Sequence, residues 1–146
     1  MTLRNLAGRL LEEITPERSS IQKLLKSAER SIEDSKLEQL SDENRFDVAY
    51  KSIMQLANVA LQANGFRTLT SKPGHHQTMI QSLPKTIGLD NDVVIMLDTL
   101  RKQRNIVDYS GDLIPPSAVE ECINQADSLY FKVHNWLKKN HPELME

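Results

Sequence analysis

Apolar residues recur at helical spacing along most of this chain, and the cleanest run lies between Ser41 and Asn64. Phe46, Ala49, Tyr50, Ile53, Leu56, Ala57, Ala60 and Leu61 return every three or four residues, which gathers them on one face at 3.6 residues per turn. Ser41, followed by Asp42, Glu43 and Asn44, predicts the start of that helix in a loose capping-box arrangement, and Gly65 predicts its end. The small residues Ala49, Ala57 and Ala60 allow a neighbour close approach, so this helix is expected at the centre of a bundle.

The flanking segments add further helices. Residues 3–14 place Leu3, Leu6, Leu10 and Leu11 on one face and predict a short amphipathic helix. Gly8 weakens it by about 1 kcal/mol relative to alanine, so it is expected to lie on the bundle or on a dimer partner. Thr15, Pro16 and Glu17 predict a Thr-capped start with proline at the first helical position. The helix that follows carries Ile21, Leu24, Leu25, Ala28 and Ile32 on one side and Lys23, Lys26, Arg30 and Glu33 on a solvated side. Residues 66–74 predict a turn-rich loop, and His75 to Leu83 a short helix ended by Pro84. After Pro115 and Pro116, Ser117 is expected to cap a last long helix with the stripe Val119, Cys122, Ile123, Ala126, Leu129, Tyr130, Val133 and Leu137. No segment alternates convincingly with a period of two, so no strand is predicted. The expected fold is all-α: an up-and-down bundle of four to five main helices in a single domain, 1–146.

One stretch combines a core stripe with chemistry. From Asp90 to Gly111 a helix is predicted, with Asp90 or Asn91 as N-cap, Asp92 in the first turn and Gly111 closing it. At about 100° per residue, Val93, Val94, Leu97 and Leu100 form one stripe, and Arg101, Arg104 and Asp108 continue it. The simplest reading of the charged end is an i,i+4 ion pair between Arg104 and Asp108, of the kind that contributes a few tenths of a kcal/mol. Lys102, Asn105 and Tyr109 complete a basic and polar cluster.

Composition narrows the chemistry. The chain has 146 residues, with 18 basic and 20 acidic side chains and a formal net charge of −2, which argues against a broad nucleic-acid surface and leaves room for a local basic patch. The single cysteine, Cys122, precludes an intrachain disulfide and reads as a small buried hydrophobe. Adjacent His75 and His76 should point to different sides of a helix and chelate poorly, with His75 a helix-start residue that retains a weak functional possibility. His134 and His141 stand near a helix C-terminus. No zinc spacing, glycine-rich phosphate loop or nucleophile elbow is present, so no metal or cofactor is expected. Tyr50 and Tyr130 are expected in the core with hydrogen-bonded hydroxyls. No apolar run approaches membrane-spanning length and the N-terminus lacks a signal peptide's apolar block; the expectation is a cytoplasmic protein with no membrane association.

The cluster in its context resembles the HEPN superfamily of small all-α domains. The resemblance rests on Arg104 followed by Asn105 late in the chain, on the stretch from Arg45 to Arg67 with its Arg-Phe, Ala-Tyr and closing Gly, and on Gly74, His75 and His76 opening a short helix. It covers about residues 20–138. Such domains carry an Arg-x4–6-His motif, and here Tyr109 stands where the histidine would be.

The resemblance implies a homodimer and a composite site at which the arginine stabilises phosphate charge while the histidine assists metal-independent RNA cleavage. Tyrosine, with a reference pKa near 10, is a poor general base at neutral pH. Positions 104 and 109 also lie about 140° apart on a straight helix. Arg101, Arg104, Asn105 and Asp108 are therefore expected as ligand- or phosphate-binding residues, and Arg104 and Tyr109 as the catalytic candidates. Three functions follow: a weakly active or non-catalytic dimeric module binding RNA, a nucleotide or a partner protein; a ribonuclease toxin with a nucleotidyltransferase-type antitoxin partner; or a structural accessory subunit whose charged cluster is a dimer contact.

Overall fold

The computed structural model describes residues 2–71, 73–111 and 113–145, with the side chains of Asp108 and Tyr109 outside the described set. Five helices form the body: α1 (Arg18–Ser35), α2 (Asp42–Ala63), α3 (His75–Thr86), α4 (Asn91–Ser110) and α5 (Pro116–Asn140). Helix α2 packs against all four others, most extensively against α1 and α5. Its apolar face is fully buried from Phe46 to Leu61, and Ala49, Ala57 and Ala60 are at 0% exposure, as their small size predicts for a central helix. The fold is the all-α bundle expected from the periodicity.

The helix ends explain where the chain turns. Ser41 accepts a hydrogen bond from the Asn44 backbone N–H at 3.2 Å, which satisfies one of the orphan donors of the first turn. Gly111 closes α4 in the left-handed conformation at φ +74, and its N–H donates to the Val107 carbonyl at 2.9 Å, as a glycine C-terminus requires. Leu97 and Leu100 are buried while Val93 and Val94 are half-buried, so the α4 stripe is core only in its middle.

Several boundaries differ from the sequence expectation. Residues 3–14 do not form a helix. They make one 3-10 turn at Arg4–Leu6 and then a short strand, β1 (Leu11–Glu13), paired antiparallel with β2 (Phe66–Thr68) in the register Leu11 to Thr68 and Glu13 to Phe66. Gly8 at φ +83 breaks any helical continuation. Gly65 at φ +88 turns the chain out of α2 into β2, where its carbonyl accepts from the Ile14 N–H at 2.8 Å. An alanine Cβ at position 65 would stand 3.4 Å from the Ile14 carbonyl. The predicted loop 66–74 thus begins as a strand, and three-residue strands are too short to show a period. Ion pairs between Arg67 and Glu12 and between Arg4 and Glu13 brace the ribbon.

Three helix ends are also corrected. Helix α1 starts at Arg18 with Glu17 as an extended N-cap, so Thr15 and Pro16 lie before it. Helix α3 runs through Pro84 to Thr86; a proline near the end removes one backbone donor without unwinding the last turn. Helix α5 begins at Pro116, with Pro115 rather than Ser117 as N-cap, because proline's fixed φ suits the first helical position.

Cys122 is fully buried with its Sγ 3.8 Å from the Phe46 carbonyl, and burial pushes its thiol up to about 12, so it is an inert core residue. Among the described residues no helix is long and apolar enough to cross a membrane.

Leu11 is at 0% exposure whereas Leu10 is at 37%. Leu11→Ala should therefore destabilise the fold by about 2–5 kcal/mol, and Leu10→Ala by less than about 0.5 kcal/mol. Urea unfolding of the two variants checks this; equal losses would mean that the strand does not bury Leu11.

Candidate functional site

On α2 the polar residues at the edge of the apolar stripe follow the same helical spacing as the core. Asp47, Tyr50, Lys51, Met54, Gln55 and Asn58 occupy one line, and this line floors a cavity of about 350 Å³. The first turn of α3 supplies His75, His76 and Met79 to its walls, β2 and the residues after it supply Thr68 and Thr70, and α4 supplies Arg104. A second cavity, about 310 Å³, lies on the other side of Arg104 and Asp47, between α2 and the end of α4. Arg104 and Asp47 line both, so they form the partition between two hollows.

The partition is built around an aromatic ring. The Arg104 guanidinium carbon stands 5.1 Å over the centroid of Tyr50, within cation–π range, and its Nε is 3.7 Å from Asp47 Oδ1. Arg104 is one-third exposed and Asp47 half exposed, so the pair is reachable from solvent. Tyr50 is at 2% exposure, yet its hydroxyl lies 3.2 Å from His76 Nδ1. Burial raises the Tyr50 hydroxyl to about 12, with Arg104 and then Arg101 opposing that shift. Tyr50 therefore keeps its proton near neutrality and can donate it to Nδ1, which leaves the neutral imidazole with its hydrogen on Nε2.

His76 is held neutral for several reasons. Burial lowers its pKa first, followed by the neighbouring His75, Arg104 and Arg101. The His75 and His76 rings meet edge to face at 4.7 Å, and both line the larger cavity. This corrects the expectation that adjacent histidines diverge: they occupy the first turn of α3, where no preceding turn separates their rings. Among the described residues, no group of three or more His, Cys, Asp or Glu side chains is arranged to hold a metal ion.

The sequence-predicted cluster is thereby divided. Arg104 is central. Arg101 is held by Asp98, its Nε donating to Oδ1 at 2.8 Å, with Lys102 at 3.5 Å from the same carboxylate. The Arg101 hydrogen bond is the main cause that depresses Asp98 below its ordinary value. Arg101 lines neither cavity, so its contribution to the site is long-range charge rather than contact. Asn105 is exposed and also lines neither. The Asp108 and Tyr109 side chains, expected respectively as ion-pair partner and catalytic candidate, lie outside the described residues. Arg104 has its described ion pair across the bundle with Asp47 on α2.

Tyr50 is the core residue with a hydrogen-bonded hydroxyl that the sequence predicts, and it also lines the site, as does His76, which the sequence offers as half of a poorly chelating pair. Asp47, Lys51 and Asn58 gave no separate signal. Their spacing on the margin of the α2 stripe is the pattern that could have pointed to a lined groove. Comparison with protein-family models and with curated protein sequences returns no match.

The lowered pKa of His76 has a defined sign in folding. Its value in the folded chain lies below the ordinary 6.5, so over that interval the unfolded chain binds more protons and stability rises with pH. The contribution is present above about 6.5 and is lost as pH falls through the folded value. Wild type should lose more stability than His76→Gln between pH 7 and about pH 5, measured by urea midpoints, and an NMR titration should place the imidazole midpoint below 6.5. Parallel stability losses in the two proteins would contradict the assigned environment.

Proposed function

We propose that this chain is a HEPN-like domain whose Arg104 cleft binds RNA or a nucleotide through phosphate, acting as a non-catalytic or weakly active dimeric module of a toxin–antitoxin or defence type system. The observation that carries the reading is the placement of Arg104 on the Tyr50 ring, at the partition of two solvent-reachable cavities. Lys51, His75 and His76 share the larger cavity with it, against one carboxylate, Asp47. Among the described lining residues the two cations Arg104 and Lys51 outnumber that carboxylate, in a chain of net charge −2. A guanidinium offers a planar, bidentate grip on phosphate oxygens, and the Tyr50 ring supports it from one side.

In this reading Asp47 holds the guanidinium in the absence of ligand and yields to a phosphate. A second copy of the chain covers the exposed Ile95 and Ile106 of α4, which are 64% and 55% exposed and lie eleven residues apart on one face of that helix. Arg104→Ala should weaken binding of a short single-stranded RNA by about 10- to 100-fold, the range of a charged hydrogen bond at about 1.5–3 kcal/mol, with little change in melting temperature. Binding should also weaken as salt rises. Fluorescence anisotropy at fixed ionic strength, with sedimentation of the same samples, measures both parts. Failure of wild type to bind RNA and nucleotides contradicts the ligand; a monomer at micromolar concentration contradicts the dimer.

A specific observation favours a second reading, the ribonuclease. His76 sets an imidazole in the same cleft as Arg104 although α4 carries Tyr109 at the motif position, so α3 would supply the missing group. RNA cleavage in metal-free buffer by wild type but by neither Arg104→Ala nor His76→Gln supports it. Cleavage by Tyr109→His alone assigns the chain to the ligand-binding class, and cleavage by none of the proteins removes the ribonuclease reading.

A further inference from the structure

The larger cavity has two chemically different ends, and phosphate binding at Arg104 uses one. Along α2, Asp47 and Asn58 are separated by eleven residues, about 16 Å of helix. Among the described lining residues the charged ones are Asp47, Lys51 and Arg104, with the imidazoles of His75 and His76 beside them. Arg104 meets both Asp47 and Tyr50, and Tyr50 meets His76, so the charge gathers toward the N-terminal half of α2.

The other described lining residues are neutral. Met54 and Met79 are buried at 7% exposure and present thioethers. Asn58 comes from the C-terminal half of α2, and Thr68 stands on the strand that leaves that end. Gln62 Nε2 donates to Asn58 Oδ1 at 3.2 Å, which fixes the amide plane and leaves Nδ2 as the donor that Asn58 offers. The neighbouring Gln55 is fixed likewise, its Nε2 donating to Ser27 Oγ at 2.8 Å. These amides are held before any ligand arrives.

A ligand that matches both ends carries an anion at one end and a flat, neutral, hydrogen-bonding group at the other. We propose that the cavity is a single-nucleotide pocket, with phosphate at Arg104 and Lys51 and one unpaired nucleobase resting on Met54 and Met79, its edge met by Asn58 and Thr68. The inference rests on the phosphate reading of Arg104 and adds the second half of the ligand. At about 350 Å³ the space falls at the small end of ligand pockets, about 300–1,000 Å³, too little for stacked base pairs. Polarizable thioethers make favourable contacts with aromatic faces, and bases splayed from single strands are recognised by apolar contact on the face and hydrogen bonds on the edge. Among the described residues no charged side chain lines that end, which favours a neutral group there over a second phosphate.

The experiment is isothermal titration of three probes, inorganic phosphate, a ribonucleoside and the four ribonucleoside 5′-monophosphates, into wild type, Asn58→Leu, Thr68→Val and Arg104→Ala. Wild type should bind at least one monophosphate about tenfold or more tightly than inorganic phosphate. Asn58→Leu should remove most of that preference with phosphate affinity unchanged. Thr68→Val, which keeps its backbone in the strand, should lower it in the same sense and stands in if Asn58→Leu is unfolded by circular dichroism. Arg104→Ala should weaken phosphate and monophosphates alike. If monophosphates bind no tighter than phosphate, or if both base-end variants leave the preference intact, while Arg104→Ala still abolishes phosphate binding, the anion site stands and the nucleotide pocket is overturned. If wild type binds none of the probes and no RNA, both are overturned.

Discussion

A guanidinium set on a buried tyrosine ring joins the core of this protein to its candidate site. Arg104 reaches from α4 to the face of Tyr50 on α2 and stands beside Asp47 one turn earlier on that helix. An arginine at the end of an apolar stripe needs a partner or solvent, because isolated buried charge is strongly disfavoured. Here it has an aromatic face, a carboxylate and an opening on each side. The ring below it is part of the hydrophobic core, so the position of the charge is set by packing rather than by a flexible loop.

Tyr50 thereby serves two purposes at once. Its ring fills the space between α2, α3 and α4, and its hydroxyl meets His76 at the start of α3. The high pKa that burial gives the hydroxyl and the low pKa that burial and neighbouring cations give the imidazole act together. The proton stays on tyrosine, and His76 remains neutral with one defined tautomer. A site organised in this way presents a fixed guanidinium, a neutral N–H donor and an ammonium on Lys51, which suits recognition of an anion.

What could be read from the sequence follows physical range. Helix α2 was legible because eight apolar residues repeat over about four turns and one glycine ends the helix, a pattern that a buried helix face produces. Gly111 was legible because a left-handed helix end favours glycine so strongly. The N-terminal ribbon was not, since Leu3, Leu6, Leu10 and Leu11 fit a helix locally and only the pairing with residues fifty positions away decides otherwise. Proline misled at three boundaries: Pro16 lies before α1 rather than at its first position, α3 tolerates Pro84 in its last turn, and α5 uses Pro116 as its first residue. In the site, Arg104 was found from the end of a stripe, whereas Tyr50 looked like core because it is core. The Asp47–Arg104 pair joins residues 57 apart, and no spacing rule within one helix could reveal it; Asp108, which the local rule offers, has its side chain outside the described residues.

The cleft around Arg104, Tyr50 and His76 is proposed as the place where an anionic ligand binds. The most direct test is an NMR titration of isotope-labelled protein with a short single-stranded oligoribonucleotide, following arginine Nε–H, histidine and tyrosine ring resonances together with the backbone amides. Saturable shifts are expected centred on Arg104, Tyr50, Lys51 and His76, with β1 and the outer face of α1 unchanged. Shifts concentrated on the basic residues of α1, or none at Arg104 and His76 while the oligonucleotide binds, would contradict it.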